Sequence, residues 1–278
     1  MRTYRIAFYE LTLQAGVLYD QYSQLFDNQL FSRFKYGSAK AAALFGKQLF
    51  ELIQDQIPFL LEDQNLLISA SPYKSVPPAS HAITHALIKN WENSSPYTTP
   101  QNTKIGRTLL FPSDYSRLDR ESRSKLMQKV NLHWIHLPEK SNKKIIVVDD
   151  VFITGAHEER LTKFLEKENF EEVYFIYTAQ LVSPVHPTIE HQINHASIST
   201  IWDLAQIWHQ DGFILNARIC KFLLAYSEIN ELLQFAENIP ETWSREIAEG
   251  MTQDGYHQMD IYLKNWEIWE RYISVPVE

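Results

Sequence analysis

Apolar and polar positions segregate most sharply at 145–157. Ile145-Ile146-Val147-Val148 is an unbroken, β-branched run, and Asp149-Asp150 follows it at once. After Val151-Phe152-Ile153 comes the small-residue turn Thr154-Gly155-Ala156. The run predicts a strand buried on both faces. Residues 157–167, opening on His157-Glu158-Glu159-Arg160-Leu161, predict the next helix, and 173–178 another strand. Strand–helix–strand at this length forms a right-handed βαβ unit, hence a parallel sheet. Upstream, 39–53 reads as an Ala-rich helix and 65–70 as a short buried strand. Residues 71–78 read as a loop and 79–91 as a helix with Pro78 suited to its start. Residues 1–65 as a whole read as mixed, then helical. Residues 93–103 read as loop, 107–111 as a strand, and the charged stretch 115–130 as loop plus helix. Beyond Pro187 the spacing turns helical, as in Leu215, Ile219, Leu223 and Tyr226, then Met259, Tyr262, Trp266 and Trp269. The expected organisation is an α/β domain at 1–188 and an all-helical extension at 189–278 whose Trp243, Trp266 and Trp269 bury an interface.

Composition narrows this picture. A chain of 278 residues with 45% hydrophobic content accommodates one large domain with an appendage. A net charge of −8 argues against a broad nucleic-acid footprint. Cys220 is the single cysteine, which excludes an intrachain disulfide, fits a reducing compartment, and lies in an apolar run as a small core residue. No run approaches the ~20 apolar residues of a membrane span, and the first residues lack the apolar region of a secretion signal. The expectation is a cytoplasmic protein that engages neither membrane nor nucleic acid.

Ligands of open α/β sheets sit at the carboxyl ends of strands, and a helix N-terminus offers free N–H groups to an anion. Carboxylates beside such a nest suit a sugar phosphate, accepting from its hydroxyls while amides hold the phosphate. A buried strand with an acidic N-cap explains one aspartate. It does not explain two followed by Thr-Gly.

The stretch 145–156 resembles the phosphoribosyl-pyrophosphate (PRPP) binding motif of the type I phosphoribosyltransferases: four hydrophobic residues, two acidic residues, a short apolar step, then Thr-Gly and small or hydroxyl residues. Ile153 and His157 depart from it, standing where hydroxyl residues are common. The resemblance implies a parallel-sheet, Rossmann-like type I phosphoribosyltransferase core carrying the C-terminal all-helical extension. It places Asp149 and Asp150 on the ribose hydroxyls, in catalytic roles. Val151, Phe152, Ile153, Thr154, Gly155, Ala156 and His157 then form the phosphate-binding turn. In the family, the loop between an earlier strand and helix holds the pyrophosphate. Here that loop is 71–78, with Ser69, Ser71, Tyr73, Ser75 and above all Lys74 as its contacts. Its Ser-Pro-Tyr-Lys is similar to the branch found in bacterial tellurite-resistance and stress gene clusters, and Ser71-Pro72 is a bond where a cis peptide costs little. A flexible lid at 115–125 would bring Arg117, or else Arg120, Arg123 or Lys125, to the pyrophosphate. A hood contributed by about 1–65 would recognise the base, with Phe34 or Tyr36 stacking and Lys35 or Arg33 pairing with an anionic group. Aromatics near a helix start also serve as core residues.

The resemblance implies Mg²⁺ as cofactor, arriving mainly through PRPP and touching Asp149 and Asp150 at most. It implies PRPP and a small-molecule base as partners, and a homodimer. His81/His85 and His191/His195 share i,i+4 spacing but lack the Glu of a zinc-protease helix, and no dedicated metal site is expected. The leading expectation is therefore transfer of phosphoribosyl from PRPP to a nitrogen base. A non-catalytic PRPP or nucleotide sensor, engaging a protein through the helical extension, is the alternative. A receiver-like phosphoacceptor domain fits poorly, because its acidic pair follows the first strand.

Overall fold

The computed structural model describes residues 1–108, 131–136, 143–182 and 189–273. A six-stranded sheet runs through the α/β part. Its strands are β1 (Arg2–Gln14), β2 (Val17–Tyr19), β3 (Leu66–Ala70), β4 (Gln101–Asn102), β7 (Lys144–Phe152) and β8 (Glu172–Leu181). They lie in the order β2-β1-β8-β7-β3-β4, and every pairing except β1–β2 is parallel. Two short strands, β5 (Ile105–Arg107) and β6 (Leu132–Trp134), pair separately and antiparallel.

The β-branched runs occupy the centre. Ile145, Ile146 and Val148 of β7 are fully buried, as are Leu66, Leu67 and Ile68 of β3. Period-two alternation sends successive side chains to opposite faces. Ile68, Ile146, Val148 and Ile176 meet α2 (Ala39–Gln56) and α3 (Ala79–Ser94). Leu67, Ile145, Val147 and Phe175 meet Leu161 and Leu165 of α4 (Ala156–Lys167). The chain leaves β3 through α3 toward one sheet edge, and leaves β7 through α4 toward the other. Right-handed crossovers in opposite directions put the two helices on opposite faces, so the carboxyl ends of β3 and β7 flank a topological switch point.

Two expectations change. The first residues, expected within a hood, include β1, a thirteen-residue strand of the main sheet in parallel register with β8. Its charges hid it from a hydrophobic pattern, because Arg2 pairs with Glu172 and Arg5 with Glu158. The strand expected at 107–111 meets β5 at Arg107 and has left it by Thr108; residues 109–111, with the 115–130 loop and helix and the residues just before 189, lie outside the described residues.

Helix α1 (Asn28–Lys35) precedes α2. From residue 189 on the described chain is helical: α5 (Ile189–Asn194), α6 (Ile201–Asp211), α7 (Ala217–Leu224), α8 (Ile229–Asn238), α9 (Glu241–Asp254) and α10 (Leu263–Trp269), with short 3₁₀ turns. Ile189 and Ile193 of α5 pack into the core of the α/β part, whereas helices α6 to α10 enclose a core of their own, which contains Trp208, Cys220, Phe235, Met251 and Trp269. Trp266 and Trp269 are buried inside it and Trp243 packs against it, so the tryptophans seal the extension itself. Gly37 locks this unit to α1. Its φ of +88° suits glycine, and any Cβ there would lie 2.7 Å from the Ile214 carbonyl oxygen. No helix among the described residues is long and apolar enough to cross a membrane.

Candidate active site

The acidic pair sits inside β7 rather than after it. Pairing with β8 continues through Asp149↔Tyr177, Val151↔Ala179 and Phe152↔Gln180. Alternation along the strand then turns the two carboxylates to different neighbours. Asp149 Oδ2 accepts from His157 Nδ1 at 3.1 Å, and Asp150 Oδ2 accepts from Lys35 Nζ. Burial raises the Asp149 carboxyl, but the His157 hydrogen bond and charge, with help from Ser71 and Lys35, carry it below the ordinary range. At Asp150 burial dominates and pushes the carboxyl up; Lys35 opposes, while Asp149 and Glu190 add to the rise.

The turn after β7 is built for an exposed helix start. Gly155 caps α4 with φ +74°, and a Cβ there would press 3.2 Å from two carbons of the Phe152 ring. Beneath the turn, Arg5 grips Glu158 with two hydrogen bonds of 2.8 and 2.6 Å, and Tyr177 donates to the same carboxylate at 3.0 Å. The Arg5 guanidinium lies 3.6 Å from the Phe152 ring centroid. Its hydrogen bond to Glu158 outweighs burial and raises its pKa. Tyr177 is pushed well above the ordinary phenol range by burial and by the charges of Asp149 and Glu158. These groups fix the first turn of α4, whose Gly155 and His157 line the cleft.

Over the switch point opens a cavity of about 210 Å³. Asp149, Asp150, Thr154, Gly155 and His157 line one side, with Val151, Phe152 and Ile153 beside them. Ser71 and Pro72 come from the β3–α3 loop, whose Ser71 N–H donates to the Val148 carbonyl at 3.1 Å. Cations reach the cavity from three other elements: Lys35 from α1, Arg107 from β5, and Arg218 and Lys221 from α7. Burial lowers the Arg107 guanidinium, with Tyr256, Asp254 and Asp149 opposing.

Most motif residues thus come together, and several others do not. Lys74 turns toward the extension, where its Nζ donates to the Asp254 carbonyl at 2.8 Å. The amides of Ser75 and Val76 donate to Asp254 Oδ1 at 2.8 and 3.1 Å, and Ser75 Oγ donates to the Gln253 carbonyl. Tyr73 lies under Lys104 Nζ, 4.0 Å away, and edge-on to His81. Asp254 is almost wholly buried and holds Lys74 and Ser75, while Tyr73 is bonded to the β5 backbone; none of the three lines the cavity.

The expected stacking residues are structural as well. Phe34 is a core side chain, edge-on to Phe31 and Phe45. Tyr36 is fully buried, its hydroxyl 2.8 Å from His195 Nδ1 and its carbonyl accepting from Trp208 Nε1. Of that segment Lys35 reaches the site, at Asp150 rather than at a base; Arg33 pairs with Asp211. The Ser71–Pro72 peptide is trans. Arg117, Arg120, Arg123 and Lys125 lie outside the described residues. Ala156 opens α4 beside the cavity residues. Sequence reading missed Arg107, Arg218 and Lys221 as site residues. They lie far from the motif in sequence, and only the i,i+3 spacing of the last two hinted at a shared face.

An α/β sheet with paired aspartates and a glycine-capped helix at its switch point is compatible with a phosphoribosyltransferase-like protein, and the family follows from sequence. The chain matches the family model described as PRTase ComF-like over residues 9–268, and it belongs to that family. Two solved structures of a hypoxanthine phosphoribosyltransferase from Staphylococcus aureus are each 11% identical to it. The tetragonal form covers 55% of this chain and 74% of its own, with a TM-score of 0.29; the orthorhombic form covers 57% and 77%, with a TM-score of 0.30. No curated protein matches the chain.

Proposed function

We propose that the protein binds PRPP at the β7–α4 cleft and transfers its phosphoribosyl group to a nitrogen base, releasing pyrophosphate. The observation that carries this reading is the convergence of Asp149, Asp150 and the Gly155-capped start of α4 on one cavity. The α4 amides and Thr154 hold the 5′-phosphate, since a helix N-terminus favours an anion. Asp149 and Asp150 accept from the ribose hydroxyls and stabilise the positive charge that develops on the ring. The base nitrogen's lone pair forms the bond to C1′, pyrophosphate departs with the electron pair of the C1′–O bond, and a ring N–H proton, where present, leaves to solvent. Arg107 takes the pyrophosphate role first expected of Lys74, because it is the cation of the β5 edge that lines the cavity.

The residues fit Mg²⁺ modestly. Carboxylate oxygens are the hard donors it prefers, but Lys35 and His157 already bind Asp150 and Asp149. Those two aspartates would touch the ion through part of its shell, with pyrophosphate oxygens supplying most of it. The ion's chemistry would be to neutralise charge on the leaving pyrophosphate.

One observation favours the second reading, a PRPP or nucleotide sensor without turnover: the β3–α3 loop is bound to Asp254 of the extension, with its lysine drawn away. Calorimetry with Mg²⁺–PRPP separates the cases when joined to a pyrophosphate-release assay. Saturable binding lost in Asp149→Asn/Asp150→Asn supports the site, and release with any base supports transfer. Absence of wild-type binding at millimolar PRPP refutes both transfer and PRPP sensing.

A further inference from the structure

Helix α7 belongs to the extension, yet it forms a wall of the cleft. Its placement is over-determined. Ile219, Cys220 and Leu223 are fully buried in the extension's core. Asn216 caps the helix, accepting from the amides of Arg218 and Ile219 at 3.0 and 3.2 Å, while its Nδ2 donates to the Lys35 carbonyl at 3.2 Å. The Ala217 amide donates to the Pro77 carbonyl at 2.9 Å. Lys35 also grips Asp150 through its ammonium, so one residue ties α7 to the acidic pair. With the apolar face of α7 turned inward, Arg218 and Lys221, three residues apart, share the other face, half-buried, and both line the cavity.

We propose that the acceptor is a planar nitrogen heterocycle bearing a carboxylate, and that Arg218 and Lys221 bind that carboxylate. This rests on the PRPP reading above. The motif turn accounts for the 5′-phosphate, the acidic pair for the ribose, and Arg107 for the pyrophosphate. The acceptor approaches C1′ from the rest of the lining, where Arg218 and Lys221 of α7 stand with Lys35, Tyr177 and the carboxylates of Glu158 and Glu190. An arginine fork and an ammonium on a rigid helix suit a carboxylate, because charge-assisted hydrogen bonds are about twice as strong as neutral ones and a fixed platform loses little entropy. The rings of Pro72, Pro78 and Phe152 line the same cavity and offer apolar surface to a flat ring. In the transfer the ring nitrogen bonds to C1′ as pyrophosphate leaves with the C1′–O electron pair; the carboxylate is unchanged, and an N–H proton, where the ring has one, goes to solvent.

The test uses the full chain with Mg²⁺–PRPP and matched probes: orotate against uracil, and nicotinate against nicotinamide. The PRPP affinity is measured first, by calorimetry, and reads the underlying proposal by itself. With PRPP bound, the anionic probe of at least one pair should bind at least about tenfold more tightly than its neutral partner, which is 1.4 kcal/mol. Arg218→Gln/Lys221→Gln should erase that preference while PRPP affinity stays within about twofold, and Arg218→Lys with Lys221 retained should restore much of it. Equal binding of anionic and neutral probes by the wild type overturns the proposal. So does a double variant that loses PRPP affinity, which would assign the two cations to pyrophosphate. A wild type that binds no PRPP refutes the underlying reading, and the proposal falls with it.

Discussion

Lys35→Met tests the electrostatics of the acidic pair most directly. The Lys35 side chain is 6% exposed and its partner Asp150 13%, so the substitution leaves a carboxylate with little water around it. Removing one member of a buried pair costs about 3–5 kcal/mol, because the remaining charge is uncompensated. The penalty depends on pH. Burial already raises the Asp150 carboxyl, and Lys35 is the group that pulls it back. In the variant the carboxyl therefore rises further. A raised carboxyl means the fold binds its proton more readily than the unfolded chain does. Its contribution to stability is then largest at low pH and is lost as pH climbs through the interval between the unfolded and folded values. The gap between Lys35→Met and wild type should be about 3–5 kcal/mol at pH 7.5 and should narrow as pH falls and Asp150 takes up its proton. Urea denaturation at pH 7.5 and at a lower pH measures this. Lys35→Met/Asp150→Asn, which carries no charge at either position, should recover to within about 1 kcal/mol of wild type at pH 7.5. A loss below about 1 kcal/mol at pH 7.5, or one of equal size at both pH values, refutes the buried-pair account.

Gly155→Ala forces a Cβ into a left-handed conformation against the Phe152 ring; it should cost about 1–2 kcal/mol in thermal melts and weaken PRPP binding at least about tenfold. Asp254→Ala strips the acceptor from the Ser75 and Val76 amides, and those two amides should exchange hydrogen faster, with a loss of about 2–4 kcal/mol. His81 is pushed down to about 4, first by burial and then by the charges of His85 and Lys104. The unfolded chain therefore holds the extra proton between about pH 4 and the ordinary histidine value near 6.5, and stability rises with pH across that window. His81→Gln should flatten that rise by up to about 1.4 kcal/mol per pH unit in pH-resolved denaturation.

Local chemistry carried the centre of the protein. A β-branched run between polar flanks has few other places to go than the middle of a parallel sheet. An acidic pair, a Thr-Gly turn and a helix start adjoin one another in the chain, so their meeting at the cleft needs only one strand–turn–helix unit. Strand β1 was harder to read: its arginines look like surface residues until Glu158 and Glu172, more than 150 positions away, neutralise them. Phe34 and Tyr36 sit in a cation-rich, aromatic stretch that suggested a base platform, and only packing against Phe45 and His195 reveals them as core.

Asp149, Asp150 and the Gly155 turn were therefore legible from neighbouring residues, since they adjoin one another in the chain, although the Lys35 partner of Asp150 was not. Lys74 and the cations of the far wall were not. Lys74 is decided by the Asp254 carbonyl and the wall by how α7 docks on Lys35, pairings that span about 180 residues. Composition and periodicity report which side chains want burial and which backbone wants a helix or a strand. They carry no record of which distant donor finds a buried acceptor, because that partner is chosen only when separate elements close on one another.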